Sequence, residues 1–218
     1  CLDVDNDGKK DLIAAPNAGN ASENFSGNWF YKNTNTNGAY TFTYQQNGFL
    51  QDQMIETGEG AYPTFFDYNS DGLKDLIVGN YGYFNVGGPL TSKLSLYKNI
   101  GSSTTPQFEL ITRDYAALAA LNLSNVFATF GDVDGDGDAD MLVATNNTAG
   151  SILYFDNLAG AGNTANFSLS NASLLNSLGS YPAPQLVDVN RDGKLDLLIG
   201  LRNGTLSYYQ NTSVIGNV

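Results

Sequence analysis

The sequence predicts an all-β fold assembled from repeated four-stranded antiparallel units, and three observations carry that expectation. An acidic nonapeptide of pattern D-x-[DN]-x-D-G-x-x-D occurs four times. Each copy is followed by a short apolar run, and each run by an alternating segment that ends in asparagine. Successive copies begin 64, 65 and 56 residues apart, an interval that suits one four-stranded unit better than a short solenoid coil.

The nonapeptides occupy residues 3–11, 67–75, 132–140 and 188–196. Apolar runs precede them at 63–66, 127–130 and 184–187 and follow them at 12–15, 76–79, 141–144 and 197–200. Bounded by turn residues, these runs read as the first and second strands of each unit, both buried. The alternating segments at 29–33, 94–99, 152–157 and 206–211 read as a half-exposed third strand. Weaker fourth strands are expected near 40–44, 107–112 and 166–170, and segments 114–121 and 171–178 as connections with room for a helical turn.

Four antiparallel strands per repeat are the make-up of a propeller blade. The expected fold is therefore an open fragment of a β-propeller with about three to four blades. Blade a covers 1–52 and lacks its first strand, blade b covers 60–113, blade c 126–170, and blade d 181–218, lacking its fourth strand. By this phase Cys1 is expected to be a strand residue rather than the lipid-modified start of a mature chain.

Composition narrows the function. The 218 residues are 42% hydrophobic and 12% aromatic, too apolar for a disordered chain. No apolar run approaches the roughly 18 residues of a membrane span. With no histidine, Ser-His-Asp and Cys-His catalysis and histidine-ligated zinc are excluded. The formal charge of -12 repels phosphate backbones, so nucleic acid is not an expected partner. A single cysteine excludes an internal disulfide.

The nonapeptide explains the acidity. Hard divalent cations collect several oxygen ligands, and Ca2+ accepts six to eight in flexible geometry, where Mg2+ demands a near-ideal octahedron. Oxygen donors at positions 1, 3, 5 and 9, with the carbonyl of position 7, can converge if glycine at position 6 allows a sharp turn. The expected metal ligands are Asp3, Asp5, Asp7, Lys9 and Asp11; Asp67, Asn69, Asp71, Leu73 and Asp75; Asp132, Asp134, Asp136, Asp138 and Asp140; and Asp188, Asn190, Asp192, Lys194 and Asp196. Asp138 stands where only a carbonyl is needed, and its side chain is expected to be solvated.

An EF-hand is excluded, because loop position 12 is Ala14, Val78, Val143 or Ile199 where a glutamate is required. The competing reading is a metal-free hairpin, since Asp, Asn and Gly favour turns. Against it, two like charges about 4 Å apart repel by about 4 kcal/mol at an effective dielectric near 20, and this crowding recurs in every copy. Four Ca2+ ions, one per loop, would bring the formal charge from -12 to -4.

These residues resemble the FG-GAP and VCBS-type repeats of extracellular β-propellers, an architecture also found in the integrin α-subunit head. Phe130-Gly131 is similar to the FG element and Ala14-Ala15-Pro16 to a degenerate GAP. The corresponding pairs in the other copies are Phe65-Phe66, Leu186-Val187 and Cys1-Leu2. The resemblance implies a closed ring of about six to eight blades in the intact protein. It also implies structural calcium in the loop between the first and second strands of each blade.

Antiparallel parity puts the calcium loops at one end of each blade and the second-to-third and inter-blade connections at the other. A ligand is expected at that opposite face, with Tyr81, Tyr83 and Phe84 in one glycine-rich connection and Glu56, Glu59 and Tyr62 in another. Such rings either stack on sugars or anchor a protein partner, or else simply pack between blades. Outside the nonapeptides the acids are Glu23, Glu56, Glu59, Glu109, Asp52, Asp114 and Asp156. No two form a catalytic motif, and no catalytic residue is expected.

The expectation is thus an extracellular or cell-surface calcium-stabilised module for adhesion or for carbohydrate or protein recognition. The alternatives are a domain of, or accessory to, a secreted polysaccharide-degrading enzyme, and a structural spacer. Extracellular calcium modules work with dissociation constants of about 0.1 to 1 mM, which cytosolic calcium does not saturate.

Overall fold

The structure is a computed structural model that describes residues 2–15, 27–51, 54–85 and 88–214. Cys1 lies outside the described residues, as do Pro16, Glu23 and Asp52. Fourteen strands among the described residues form four antiparallel sheets, each a meander in chain order. The first sheet holds β1 (Leu12–Ala14), β2 (Trp29–Asn33) and β3 (Phe42–Gln46). The second holds β4 (Tyr62–Phe66), β5 (Asp75–Gly79), β6 (Leu94–Asn99) and β7 (Phe108–Thr112). The third holds β8 (Phe127–Gly131), β9 (Asp140–Thr145), β10 (Ser151–Asn157) and β11 (Phe167–Leu175). The fourth holds β12 (Ala183–Val187), β13 (Asp196–Gly200) and β14 (Leu206–Tyr209).

The chain divides into two compact units, Cys1–Gly58 with Phe84–Pro89, and Glu59–Tyr83 with Leu90–Val218. The first unit contains one sheet, where a lone bridge between Leu2 and Asp11 takes the place of a paired first strand. Phe30 stacks on Phe49 there with ring centroids 4.9 Å apart. The second unit contains the other three sheets, with β8 against both β4 and β12. These are successive blades of an open propeller fragment.

Strand periodicity explains the core of the second unit. Successive side chains on a strand point to opposite faces. On β10, Leu153 and Phe155 join Ile77, Leu94, Leu96 and Met141 in one buried cluster, whereas Ile152 and Tyr154 join Leu142, Leu186 and Ile199 in another. The third sheet is therefore covered on both faces. This corrects the expectation of a half-exposed third strand in two repeats, where β6 and β10 are buried almost throughout, whereas β2 and β14 are partly exposed as expected.

The connections also differ from expectation in one place. Residues 115–121 are a connection with short 3-10 turns, as expected, in which Ala116 and Ala117 sit at φ of 56° and 55° and Leu118 is fully buried. Residues 171–175, expected in a connection, instead continue β11 to Leu175. Two register shifts, between Ile152 and Tyr154 and between Tyr154 and Phe155, let the longer strand follow β10 to its start. Leu174 and Leu175 then pack against the second cluster.

Gly79 and Gly200 end the second strands of the second and fourth repeats but meet different surroundings. A Cβ on Gly79 would lie 2.1 Å from the Val126 carbonyl oxygen, whereas one on Gly200 would meet nothing within 4 Å. Gly79→Ala is expected to destabilise the chain by about 2 kcal/mol in urea denaturation. Gly200→Ala is expected to stay within about 0.5 kcal/mol of wild type.

Candidate functional site

The four acidic nonapeptides fold alike. The first aspartate turns inward and accepts two backbone N–H groups. Asp3 takes those of Asp7 and Gly8 at 3.1 and 2.9 Å, Asp67 those of Asp71 and Gly72 at 3.1 and 2.9 Å, and Asp188 those of Asp192 and Gly193 at 3.2 and 3.0 Å. Asp132 accepts from Gly135 at 2.7 Å and from Gly137 at 3.1 Å. The side chain at position 3, Asp5, Asn69, Asp134 or Asn190, accepts the N–H of position 5 at 3.3, 3.4, 3.1 and 2.9 Å.

Position 5 in turn accepts the N–H of position 7. Lys9, Leu73, Asp138 and Lys194 donate to Asp7, Asp71, Asp136 and Asp192 at 2.9, 3.0, 3.0 and 2.9 Å. The turn needs left-handed backbone at two positions. Gly8, Gly72, Gly137 and Gly193 supply it at position 6, with φ from 84° to 98°. Position 4 was not legible as a second such site, because Asn6, Ser70 and Arg191 hold φ of 60°, 56° and 64° there and only the third loop has glycine, Gly135 at 80°.

The ninth residue does a different job. Asp11, Asp75, Asp140 and Asp196 are fully buried. One oxygen of each accepts the N–H of position 2, from Val4, Tyr68, Val133 and Val189 at 2.9, 3.1, 3.0 and 3.2 Å. The other accepts the N–H of the third-strand asparagine, from Asn33, Asn99, Asn157 and Asn211 at 2.8, 2.8, 3.1 and 2.8 Å. Those asparagine side chains donate back to the carbonyls of Lys10, Lys74, Ala139 and Leu195 at 3.1, 3.3, 3.1 and 3.2 Å. Each carboxylate oxygen has two lone pairs, so the clamp leaves capacity for a cation.

Carboxylate oxygens of Asp3, Asp5 and Asp11 lie within 4.8 Å of one another, as do those of Asp132, Asp134 and Asp136. Asp138 is not solvated as expected. It is 7% exposed, its Oδ2 accepts the Gly160 N–H at 2.8 Å, and its buried Oδ1 has no hydrogen-bond partner. The loop carries it inward because Gly160, in the connection between β10 and β11, offers a donor beside it.

Electrostatics separates the loops. Burial, and then the neighbouring carboxylates, raise Asp134 and Asp138. Burial pushes Asp140 up to about 6, against the pull of its Val133 and Asn157 N–H bonds. Burial also raises Asp75 of the second loop, while the Lys32 ammonium lowers Asp5, the Leu73 N–H lowers Asp71, and the Asn211 N–H lowers Asp196. Asp156, read in the sequence as outside the loops, is among the charges acting on Asp134, Asp138 and Asp140. The signal that finds it is its place immediately before the clamping Asn157, where the other repeats carry Lys32, Lys98 and Gln210.

The opposite end of the second unit gathers part of the expected ligand set. Tyr62 donates to Asn125 Oδ1 at 2.8 Å and its ring lies 5.3 Å from Phe127. Tyr83 is buried, with its hydroxyl 3.0 Å from Ser95 Oγ. Those two rings serve packing. Glu59 pairs through its backbone with Gly82, which holds the turn that presents half-buried Tyr81. Glu56 and Phe84 belong to the first unit.

Two residues absent from the expected set complete this face. The Tyr181 ring lies nearly parallel to Tyr81, with centroids 6.3 Å apart, and the Arg202 guanidinium carbon is 5.1 Å from the Tyr181 centroid. Tyr181 adopts φ of 57°, costly for an aromatic residue, and its N–H is fixed by Asn146 Oδ1 at 2.7 Å. Tyr181 and Arg202 line an open groove of about 500 Å³ with Ala183, Thr205 and Leu206. Tyr181 escaped the sequence reading because a lone tyrosine before a strand carries no periodic signal.

A family model for the FG-GAP-like repeat matches the chain three times, over residues 3–78, 67–143 and 132–199. The chain belongs to the FG-GAP-like repeat family. Each match of this FG-GAP chain opens on the first aspartate of one loop and ends on the strand that follows the next loop. No curated protein and no solved structure matches it. No helix among the described residues is long and apolar enough to cross a membrane.

A carboxyl raised by burial contributes stability below its unfolded value of 3.8 and loses it as pH rises through about 6. For Asp140 in metal-free protein the loss amounts to about 3 kcal/mol. Carbon-13 NMR titration of the Asp140 carboxyl with chelator present is expected to give a midpoint near 6. A chelator midpoint near 3.8 would contradict this electrostatic picture.

Proposed function

We propose that this FG-GAP repeat chain is an extracellular, calcium-stabilised recognition module that is not catalytic and binds carbohydrate or an extracellular protein at the end of its blades opposite the acidic loops. The observation that carries the calcium reading is the inward convergence of carboxylates, with oxygens of three aspartates within 4.8 Å of one another in the first loop and again in the third. The donors are all oxygen, which suits a hard cation and neither zinc nor copper. Positions 1, 3, 5 and 9 of each loop would hold it, with the carbonyl of Lys9, Leu73, Asp138 or Lys194 as a further donor. Bound calcium supplies charge neutralisation that these crowded carboxylates otherwise lack.

The recognition reading draws on the family and on the groove beside Tyr181. A half-buried ring next to an arginine, on a backbone kept in a strained conformation, is suited to stacking on a sugar and to pairing with an anionic substituent. The extracellular reading follows from the affinity range of structural calcium modules.

A ligand bound only by the native state stabilises by RT ln(1 + [L]/Kd), about 2.7 kcal/mol at a hundredfold excess over Kd. Chelation is therefore expected to lower the melting temperature in differential scanning calorimetry, with calcium restoring it. An unchanged melting curve after thorough chelation would remove the metal reading. On a glycan array in calcium, Tyr181→Ala and Arg202→Ala are expected to abolish binding that wild type shows. Equal binding by both variants would move the ligand site elsewhere.

A further inference from the structure

The four loops share a backbone but not an electrostatic setting. The residue just before the clamping asparagine is Lys32, Lys98, Asp156 or Gln210. In the first loop, Lys32 Nζ contacts Asp5 and lies 3.4 Å from Asp7. In the second, Lys98 Nζ lies 3.5 Å from Asp71. In the third the charge is reversed, and among the described residues no lysine or arginine pairs with that loop's carboxylates. Lys194 lines the same small cavity as Asp132 and Asp134, but its ammonium donates to the Ser213 carbonyl.

Position 7 separates the third loop a second time. There the side chain is Asp138, where the other loops have Lys9, Leu73 and Lys194. Its Oδ1 is buried without a hydrogen-bond donor, although Asp138 is only 7% exposed. A buried carboxylate oxygen left unpaired is costly, and a cation is the partner its charge calls for. Six carboxylates thus lie in or beside one bend: Asp132, Asp134 and Asp136, whose oxygens lie within 4.8 Å of one another, Asp138 and Asp140 of the same loop, and Asp156 at the position that Lys32 and Lys98 hold in the first two repeats. The first loop has four and the second and fourth have three each at positions 1, 3, 5 and 9.

We propose that the third loop is the single high-affinity calcium site of the chain, strengthened by Asp138 and Asp156, and that Lys32 and Lys98 are built-in competitors that weaken the first and second sites. This rests on the calcium reading above and grades it: the third site fills first, and the lysine-guarded sites fill only after their ammonium groups swing away. Calcium would then act on the chain in two steps, the first of them local to β8, β9 and β10.

The test is calorimetric titration of the metal-free chain with calcium chloride, with native mass spectrometry to count bound ions. One equivalent is expected to bind at least about tenfold more tightly than the rest, about 1.4 kcal/mol. The double variant Asp138→Asn with Asp156→Asn is expected to lose that tight equivalent and keep the weak ones. Lys32→Gln with Lys98→Gln is expected to tighten two weak equivalents by about fivefold, the scale of an exposed ion pair. The lysine side chains are one-third exposed, so this second variant reads the proposal even if the first does not fold. Equal affinities in wild type, unchanged in the lysine variant, would overturn the grading and leave calcium binding in place. Absence of any bound calcium would overturn both.

Discussion

Each sheet depends on one aspartate that is removed from water and still hydrogen-bonded on both oxygens. Asp11, Asp75, Asp140 and Asp196 each join the start of an acidic bend to the end of the third strand, through one N–H bond on either oxygen. The asparagine that donates to it returns a bond to the carbonyl just before that aspartate. A buried carboxylate costs several kcal/mol unless it is satisfied, so this exchange is what permits the charge inside the sheet. It also makes bend and sheet one cooperative unit: the strands cannot separate without exposing the clamp, and the bend cannot open without stripping the third strand of a partner.

The remaining carboxylates of each bend are turned inward by backbone N–H groups, which gathers negative charge in a small volume. That geometry is folded in advance of any ion. On the proposed calcium reading, the stability of the blades and the occupancy of the bends are linked quantities. In the second unit the linkage reaches far, because the third sheet is covered on both faces and its strands β8, β9 and β10 carry both apolar clusters. The end that holds Tyr81, Tyr181 and Arg202 is formed by the other ends of these same blades. The groove beside Tyr181 is therefore placed by strands whose opposite termini are the acidic bends.

Much of this was legible in the sequence because it repeats. Four nonapeptides in register, each flanked by apolar runs, identify the first two strands and the bend between them. The recurring asparagine marks the third strand, although its bonds to the buried aspartate follow only from coordinates. Features that occur once were not legible. The burial of β6 and β10 depends on neighbouring sheets, which alternation within one strand does not reveal. The extension of β11 to Leu175 rests on two register shifts against β10. Asp138 and Asp156 look like surface acids in the sequence, and become part of a bend only when Gly160 and the third strand are brought beside it. Tyr181 owes its role to a left-handed backbone that a tyrosine does not advertise.

The claim at the centre is that the inward carboxylates cage a divalent ion. Crystals grown in calcium chloride, with diffraction data collected at a long wavelength where calcium scatters anomalously, would test it most directly. The account predicts anomalous density inside the bends, bounded by the side chains of positions 1, 3, 5 and 9, with the strongest peak beside Asp138. Bends holding no anomalous density, with Asp132, Asp134 and Asp136 turned out to solvent, would contradict it.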